Sequence, residues 1–421
     1  MGAFSRSASA PRAKRLVVSG LALAGAAALV LSGCATTSDD DEGASVEDLS
    51  LKIGTILPQT GSLAVLGPPE FAGVDLAVEE INDAAKGLEI SVEHKDSGDT
   101  TTDIATQSAT ALLADGVSAI IGAASSGVSK TFIDQVTQAG VVQLSPANTS
   151  PDFTTYADDG YYWRTAPSDV LQGRILGNKI AADGRTNVAI LYMNDAYGTG
   201  LESNLKTSLE SNGVSISGEQ IFEPSATDFT SAIQTLLAGS PDALVVISFD
   251  ELKTIAEQLA GQGFDFANLY GVDGNYGVIT PSDTNVDIAG AQFTNPGVLA
   301  PADFQERLQS VASEELAVFS YGAEAYDGTI LIALAALQGG ATDGETIRDN
   351  LQSVSEDGTE CTTYADCADL IADGEDIDYN GVSGPITWDE NGDPTEAYIS
   401  IFQYTAGNES EGIDQVYGKL E

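Results

Sequence analysis

The chain has 421 residues, of which 43% are hydrophobic, and its formal net charge at pH 7 is -46. This length exceeds what one hydrophobic core usually fills, so two lobes or domains are expected. The composition is typical of a globular protein and excludes a disordered or fibrous one. Because the net charge is so negative, the surface repels phosphate backbones, which argues against nucleic-acid binding.

The first 33 residues have the pattern of a secretory signal. Four basic residues lie between positions 6 and 15, and an apolar run over 16–31 follows them. That run is short for a membrane span of roughly 20 residues. It ends in Leu31-Ser32-Gly33-Cys34, which resembles the lipobox of bacterial lipoproteins. The resemblance implies cleavage before Cys34 and lipidation of its thiol, and the alternative is an ordinary secretory signal in which Cys34 is incidental.

Residues 34–50 are then expected to form an acidic tether that holds a folded domain away from a membrane, because they are polar and rich in small residues. Two further cysteines, Cys361 and Cys367, lie in a segment rich in Thr and Asp. In an oxidising compartment their spacing allows a small loop closed by a disulfide. A zinc site would need more Cys or His ligands, and His94 is the only histidine, so no metal site is expected.

From Leu51 onward, short apolar runs alternate with amphipathic helical patterns. The predicted strands of the first half are 51–57, 89–95, 118–122 and 141–144. After a break near 164–168, those of the second half are 188–193, 214–222, 243–247 and 268–272. Strands that alternate with helices in this way predict parallel sheets with right-handed crossovers. The fold class is therefore α/β, with two doubly wound, Rossmann-like lobes.

Ligands of such sheets bind beyond the carboxyl ends of the strands. Three polar, small-residue turns lie at predicted strand ends, namely Pro58-Gln59-Thr60-Gly61, the segment 122–127 and Ser145-Pro146-Ala147-Asn148-Thr149. With Glu70-Phe71-Ala72-Gly73, Asn194-Asp195-Ala196-Tyr197-Gly198 and Gly384-Pro385-Ile386-Thr387-Trp388-Asp389, they give the sequence its family resemblance. The chain resembles the Leu/Ile/Val-binding proteins, which have the type I periplasmic-binding-protein fold.

The resemblance implies two lobes joined by a three-strand hinge. Lobe 1 would comprise 51–165 and 295–395, and lobe 2 would comprise 166–294 and 396–421. A ligand would be enclosed between the lobes when they close.

The resemblance also implies which residues bind an amino acid ligand. Ser126 and Thr149, with the backbone of Ala147, match the positions that bind the ligand carboxylate, which hydroxyl and N–H donors suit. Asp273 matches the acidic partner of the ligand ammonium, although the family's residue is Glu. As alternatives, Ser126 and Thr149 would only cap helices and Asp273 would only form a turn.

The remaining expected contacts are apolar or aromatic. Tyr197 matches an aromatic residue that closes over the ligand, and Phe249 occupies a position that is often tyrosine. Leu66 occupies a position that is often aromatic, so the pocket lacks two usual contacts. Tyr326 is expected either as a further wall of the site or as a core residue.

The function implied is that of an extracytoplasmic, lipid-anchored solute-binding protein that delivers a small ligand to the permease and ATPase subunits of an ABC importer. No cofactor is expected. Catalysis is not expected either, because the sequence lacks a G-x-S-x-G elbow with a catalytic histidine and lacks a P-loop. A branched-chain or other aliphatic amino acid is the expected ligand. Short amides, urea and aromatic acids remain open, as does a lipoprotein that presents ligand to a sensor.

Overall fold

The structure is a computed structural model, and it describes residues 49–420. Its first sheet has five parallel strands in the order β2-β1-β3-β4-β5. These strands are β1 (Leu49–Leu57), β2 (Leu88–Asp96), β3 (Ala119–Gly122), β4 (Val142–Ser145) and β5 (Tyr162–Arg164). β3 and β4 are buried along their whole length, as expected for parallel strands covered on both faces.

Eight helices belong to the lobe built on this sheet, which we call the first lobe. They are α1 (Gly67–Ala84), α2 (Ile104–Ala114), α3 (Ser126–Ser129), α4 (Ile133–Thr137), α9 (Ala302–Val311), α10 (Gly322–Gly339), α11 (Gly344–Leu351) and α12 (Tyr364–Ala372). α1 and α10 pack very closely, because a Cβ atom on Gly73 would lie 2.2 Å from the carbonyl oxygen of Gly322. A side chain at position 73 would therefore force the two helices apart.

The second sheet has seven strands in the order β14-β13-β10-β9-β8-β6-β7. Its strands are β6 (Asn187–Met193), β7 (Ser215–Phe222), β8 (Ala243–Ile247), β9 (Leu269–Gly271), β10 (Gln292–Pro296), β13 (Glu396–Tyr404) and β14 (Ser410–Lys419). The strands β6 to β10 are parallel, whereas β13 and β14 add an antiparallel hairpin next to β10. The helices α5 (Asp169–Ala182), α6 (Ala196–Ser211), α7 (Thr230–Ala238) and α8 (Glu251–Gly261) complete this second lobe.

The two sheets confirm the predicted α/β class. The chain crosses between them three times: after β5, after β10 and before β13. The segment 396–421, for which the resemblance implies a place in the second lobe, contributes β13 and its hairpin partner β14 to the second sheet. A short two-stranded sheet of β11 (Thr359–Cys361) and β12 (Ile377–Tyr379) lies before the third crossing, and a disulfide joins Cys361 to Cys367.

A buried ion pair joins the first crossing to the third. Arg164, at the end of β5, donates from Nε and Nη2 to the carboxylate of Asp393 at 2.6 and 2.7 Å, and its side chain is fully buried. Its Nη1 atom donates to the carbonyl oxygens of Asn148 and Ser150. One guanidinium group thus fixes two chain crossings and the loop after β4.

We expect Arg164→Met to lower the free energy of unfolding by about 3–5 kcal/mol, since it leaves the Asp393 carboxylate buried without its partner. Urea unfolding measures this change. Lys206→Met is the matched control, because Lys206 pairs with Glu219 at the surface, where such pairs contribute about 0–1 kcal/mol. Equal effects of the two substitutions would contradict the role given to Arg164.

Candidate functional site

Loops from the carboxyl ends of both sheets meet between the lobes. From the first sheet come Ser125 and Ser126 after β3, and the segment 147–149 after β4. The hydroxyl of Ser126 accepts a hydrogen bond from the backbone N–H of Ser150 at 3.3 Å, which joins these two loops. From the second sheet come residues that follow β6, β8 and β9. The loops meet because the carboxyl ends of parallel strands share one edge of each sheet.

A small cavity marks the place where these loops touch. It measures about 10 Å³, which is room for about one water molecule. The residues that line it are Leu63, Leu66, Ala124, Ser125, Ser126, Ala147, Tyr197, Phe249, Asp273 and Gly274. Six residues for which the sequence predicted a ligand contact therefore lie together, namely Leu66, Ser126, Ala147, Tyr197, Phe249 and Asp273.

The two lobes are in direct contact around this cavity. The backbone N–H of Asp250 donates to the carbonyl oxygen of Ser62 at 3.1 Å. A Cβ atom on Gly127 would lie 3.0 Å from the Oδ2 atom of Asp195, so α3 and the start of α6 nearly touch. The cleft is therefore closed, and a molecule the size of an amino acid enters only after the lobes separate.

Asp273 is the most highly connected polar residue of the cleft. Its Oδ1 atom accepts hydrogen bonds from Nε2 of Gln172 and from the hydroxyl of Tyr197, both at 2.8 Å. Its Oδ2 atom accepts one from the hydroxyl of Tyr321 at 2.7 Å. Burial raises the pKa of Asp273, and these three donors act in the opposite direction because they stabilise the charged form.

A second carboxyl group, that of Asp169, lies near Asp273 but accepts no comparable hydrogen bonds. Asp169 is fully buried, and neither of its side-chain oxygens has a hydrogen-bond partner among the described residues. Burial, followed by the nearby charge of Asp273, raises the pKa of Asp169 well above its usual range. The hydroxyl of Thr149 lies close enough to oppose that rise, but it does not reach hydrogen-bonding geometry.

The polar groups left without partners in this region are mainly acceptors. They include both oxygens of Asp169 and the Oε1 atom of Gln172, and the hydroxyl oxygen of Thr149 is also unpartnered. Buried polar groups are normally paired, and unpaired acceptors call for a donor. These oxygens can accept hydrogen bonds from a donor that enters the cleft.

Sequence reasoning missed Asp169, Gln172 and Tyr321. The first two lie on the buried face of α5, one turn apart and directly after the first crossing. The sequence feature that could have identified them is their position, since both are polar residues at the start of a helix that directly follows a hinge strand. Tyr321 gave no signal, because it lies in a loop and adopts a left-handed backbone conformation with a φ of 61°.

The aromatic residues of the cleft are stacked. The rings of Tyr197 and Phe249 are 5.5 Å apart and nearly parallel. The carboxylate of Glu251 accepts a hydrogen bond from the backbone N–H of Phe249 at 2.8 Å, which fixes the position of that ring. Burial raises the pKa of Glu251 to about 7.

Two predicted residues do not line the cavity. Tyr326 lies on α10 and belongs to the core of the first lobe, where its hydroxyl donates to Glu80 at 2.6 Å and its ring packs against Phe304. The aromatic residue that contacts Asp273 is instead Tyr321, which lies just before α10 begins. Thr149 is buried behind the cavity lining, beside Asp169.

Other predicted features lie elsewhere. Cys34 is outside the described residues. Residues 49–420 contain no group of three or more His, Cys, Asp and Glu side chains arranged to hold a metal ion. No helix within the same residues is both long enough and apolar enough to cross a membrane.

The family model of the periplasmic binding proteins matches residues 50–409 of the chain. Leu/Ile/Val-binding protein homolog 3 of Brucella melitensis is 23% identical over 371 residues, which are 86% of this chain and 94% of that protein. An uncharacterized protein of Methanocaldococcus jannaschii is 28% identical, over 54% of this chain and 58% of its own length.

Solved structures share the fold. The branched-chain amino acid transporter substrate-binding protein LivJ of Streptococcus pneumoniae, in complex with isoleucine, is 25% identical. It superposes with a TM-score of 0.71 over 88% of this chain and 100% of its own. A solute-binding protein of an ABC transporter from R. palustris, in complex with 4-hydroxybenzoate, is 18% identical, with a TM-score of 0.70 over 87% and 97% of the two chains.

The raised pKa of Glu251 predicts a pH dependence of stability. Because this carboxyl binds its proton more tightly in the folded state, its contribution is complete below about pH 4.5 and is lost as the pH rises through about 7. Between about pH 4.5 and about pH 7, the unfolding free energy should therefore fall less in Glu251→Gln than in the parent protein. The difference should be up to roughly 3 kcal/mol. Urea unfolding at a series of pH values measures it.

The matched control is Glu306→Gln, which changes an exposed glutamate of α9. It should leave the pH profile of the parent protein unchanged. If Glu251→Gln also left that profile unchanged, the burial of the Glu251 carboxyl would not control its titration.

Proposed function

The chain belongs to the periplasmic binding protein family, and on that premise we propose that it captures a branched-chain or other aliphatic amino acid for an ABC importer. It is a substrate-binding protein of the ABC-transporter type, as the relatives that match over most of its length are. The proposal concerns the ligand and the residues that bind it. The single observation that carries it is the pair of buried carboxyl groups, Asp169 and Asp273, in a cleft with unpartnered acceptors.

An α-ammonium group satisfies this part of the cleft. It offers three N–H donors and a positive charge to Asp169, Asp273 and the Oε1 atom of Gln172. A cation at this place would also offset the repulsion between the two carboxyl groups, which adds to burial in raising the pKa of Asp169. An anionic ligand without an ammonium would increase that repulsion.

The carboxylate of the ligand has its donors on the first lobe. The hydroxyl groups of Ser126 and Thr149 lie on adjacent loops, and the Thr149 hydroxyl has no hydrogen-bond partner among the described residues. Ala147 lines the cavity between them. A zwitterionic head group would then extend from these hydroxyls to the two aspartates.

The side chain of the ligand faces apolar groups. Leu63, Leu66, Ala124 and Phe249 line the cavity, and their side chains offer no hydrogen bond to a polar substituent. Filling such a lining with an aliphatic side chain contributes roughly 0.8 kcal/mol for each buried methylene. Short aliphatic side chains therefore fit the cleft better than charged ones.

Ligand entry requires two local changes. The lobes must separate, because the closed cavity is about the size of one water molecule. The hydroxyls of Tyr197 and Tyr321, which now donate to Asp273, must share that carboxylate with the ligand. Closure around the ligand follows the hinge mode of domain motion, with the three crossings as the hinge.

Two other classes of ligand are alternatives to an amino acid, namely short amides or urea and aromatic acids. A short amide or urea would donate N–H groups to the same acceptors, so the unpartnered oxygens of Asp169 also favour this class. The fold alone accommodates an aromatic acid, as in the R. palustris protein, but Asp169 and Asp273 would repel a free carboxylate that lacks an ammonium.

We also propose the location of the protein and its domain limits. Residues 1–33 would be removed as a signal peptide, and Cys34 would carry the lipid that tethers the protein to the outer face of the cell membrane. There it would meet the permease and ATPase subunits of its importer. The tether would comprise 34–48 rather than the expected 34–50, since Leu49 and Ser50 belong to β1. Lobe boundaries at 165/166 and 395/396 are supported by the membership of the strands in the two sheets, whereas the boundary proposed at 294/295 falls within β10, whose residues 295 and 296 pair in the second sheet.

The ligand proposal is tested by thermal unfolding of the chain from residue 35 onward, in the presence of the twenty amino acids, short amides, urea and aromatic acids. A ligand at one hundred times its dissociation constant adds about 2.7 kcal/mol to the unfolding free energy. We expect stabilisation by aliphatic L-amino acids. Stabilisation by amides or aromatic acids alone would refute the amino acid proposal.

Asp273→Ala should weaken binding of the cognate ligand by roughly 2–4 kcal/mol, since the ammonium then lacks a buried charged partner. Isothermal titration calorimetry measures the change, and circular dichroism checks the fold. Asp303→Ala, which removes an exposed carboxylate on α9, is the control and should bind like the parent protein. An unchanged affinity in Asp273→Ala would show that the site has been assigned wrongly.

Cys34→Ser should release the protein from the membrane fraction, because the serine hydroxyl cannot carry the thioether-linked lipid. Detergent partitioning and the intact mass of the mature protein measure the change. Cys361→Ser is the control and should remain in the membrane fraction. Membrane retention of the Cys34→Ser protein would contradict lipidation at this residue.

A further inference from the structure

A second and larger cavity lies beside the second chain crossing. It measures about 410 Å³, within the range of typical small-molecule sites. Its walls come from the segment 295–300, from the loop 317–321 before α10, and from the hairpin of β13 and β14. It shares no lining residue with the cleft cavity. Tyr321 lies between the two, since its ring lines the larger cavity while its hydroxyl donates to Asp273.

One charged residue lines this cavity, and it is an acid. Glu324 lies in the first turn of α10 and is 3% exposed, and the lining contains no Lys, Arg or His. Within residues 49–420, only its own backbone N–H supports the charged form of its carboxyl group. The carboxyl lies against the second crossing, because a Cβ atom on Gly297 would be 2.0 Å from Oε1 of Glu324.

A second buried acid lies next to Glu324. Glu70 on α1 is fully buried, and both of its carboxylate oxygens lack partners among the described residues. Burial and the neighbouring Glu324 raise the pKa of Glu70. Burial, with a contribution from Asp327, raises the pKa of Glu324 to about 8. Glu70 and Asp327 thus lie near Glu324, which is the acid that lines the cavity, and the lining contains no Lys, Arg or His.

The other walls are apolar and aromatic. Tyr276 and Phe402 are stacked with their ring centres 4.2 Å apart, and Val298, Leu299 and Phe319 complete the apolar surface. Aromatic faces attract cations. A hard metal ion such as calcium needs six to eight oxygen ligands, and no metal-holding group exists among residues 49–420. The lining is therefore suited to an organic cation with an apolar body.

We propose that this cavity is a second ligand site, which takes a small organic ammonium ion and pairs its charged nitrogen with Glu324. The site goes beyond the ligand proposed for the cleft and does not depend on it. An occupant would contact Tyr321, and through it the hydrogen bond to Asp273. The site would also touch the second crossing and the β13–β14 hairpin, two parts of the chain that lie at or next to the hinge.

The test is isothermal titration calorimetry of the chain from residue 35 onward with a series of alkylammonium chlorides from methyl to hexyl. 1-Butanol and butyrate serve as neutral and anionic comparators at the same ionic strength. We expect saturable binding of butylammonium, binding of 1-butanol at least about tenfold weaker, and no binding of butyrate, because a charge-assisted contact is worth about one factor of ten or more.

Variants separate this cavity from the cleft and from general surface charge. Glu324→Gln should weaken butylammonium binding at least about tenfold. Ala317→Trp, which places an indole at the exposed rim of the cavity, should weaken it as well. Asp303→Ala and Glu306→Gln, both on the exposed surface of α9, should bind butylammonium like the parent protein.

Four results would overturn the proposal. They are the absence of saturable binding across the alkylammonium series, equal binding of 1-butanol, unchanged binding in both Glu324→Gln and Ala317→Trp, and loss of binding in Asp303→Ala or Glu306→Gln. The last result would attribute the binding to general surface charge. The amino acid screen of the cleft has a separate readout, so either proposal can fail without the other.

Discussion

The ion pair between Arg164 and Asp393 is the constraint on which the rest of the molecule depends. It joins the first crossing between the lobes to the third, and the same guanidinium group holds the backbone of the loop after β4. A buried pair of this kind is costly to desolvate, so it adds little to stability in net terms, but the loss of either partner is severe. Its effect is to fix geometry: the loop that carries Ala147 and Thr149 is held by the same group that fixes the hinge.

The electrostatics of the cleft follow from that geometry. The loop after β4 and the first turn of α5 are held together, since the backbone N–H of Asp169 donates to the carbonyl oxygen of Thr149 at 2.7 Å. The arrangement places Asp169 in a fully buried position close to Asp273. Two buried carboxyl groups without a cation are unfavourable. Under the proposed function, a ligand that supplies positive charge would relieve this cost, so the same feature would provide affinity and would select for an ammonium group.

Buried acids without a neighbouring cation also occur next to the hinge, where Glu70 and Glu324 lie in the first turns of α1 and α10. Gly73 and Gly322 allow the two helices to approach closely, and their close packing buries Glu70 and Glu324 without compensating cations. In both places an acid is buried next to a cavity rather than next to a base. The chain contains 63 acidic and 17 basic residues, so it has few cations with which to neutralise its buried acids.

The sequence by itself determined the alternation of strands and helices and the edges at which the loops meet. The resemblance to the Leu/Ile/Val-binding proteins placed Ser126, Ala147 and Asp273 around one ligand, and each of them follows a strand of a parallel sheet, where ligands of such sheets bind. Only the tertiary structure decided which groups face them. Tyr321 rather than Tyr326 approaches Asp273, because the left-handed turn at Tyr321 and the close packing of α1 on α10 set the orientation of that helix, and no local pattern encodes such packing. The raised pKa values of Asp169 and Glu324 are likewise tertiary properties, since they arise from burial and from neighbours distant in sequence.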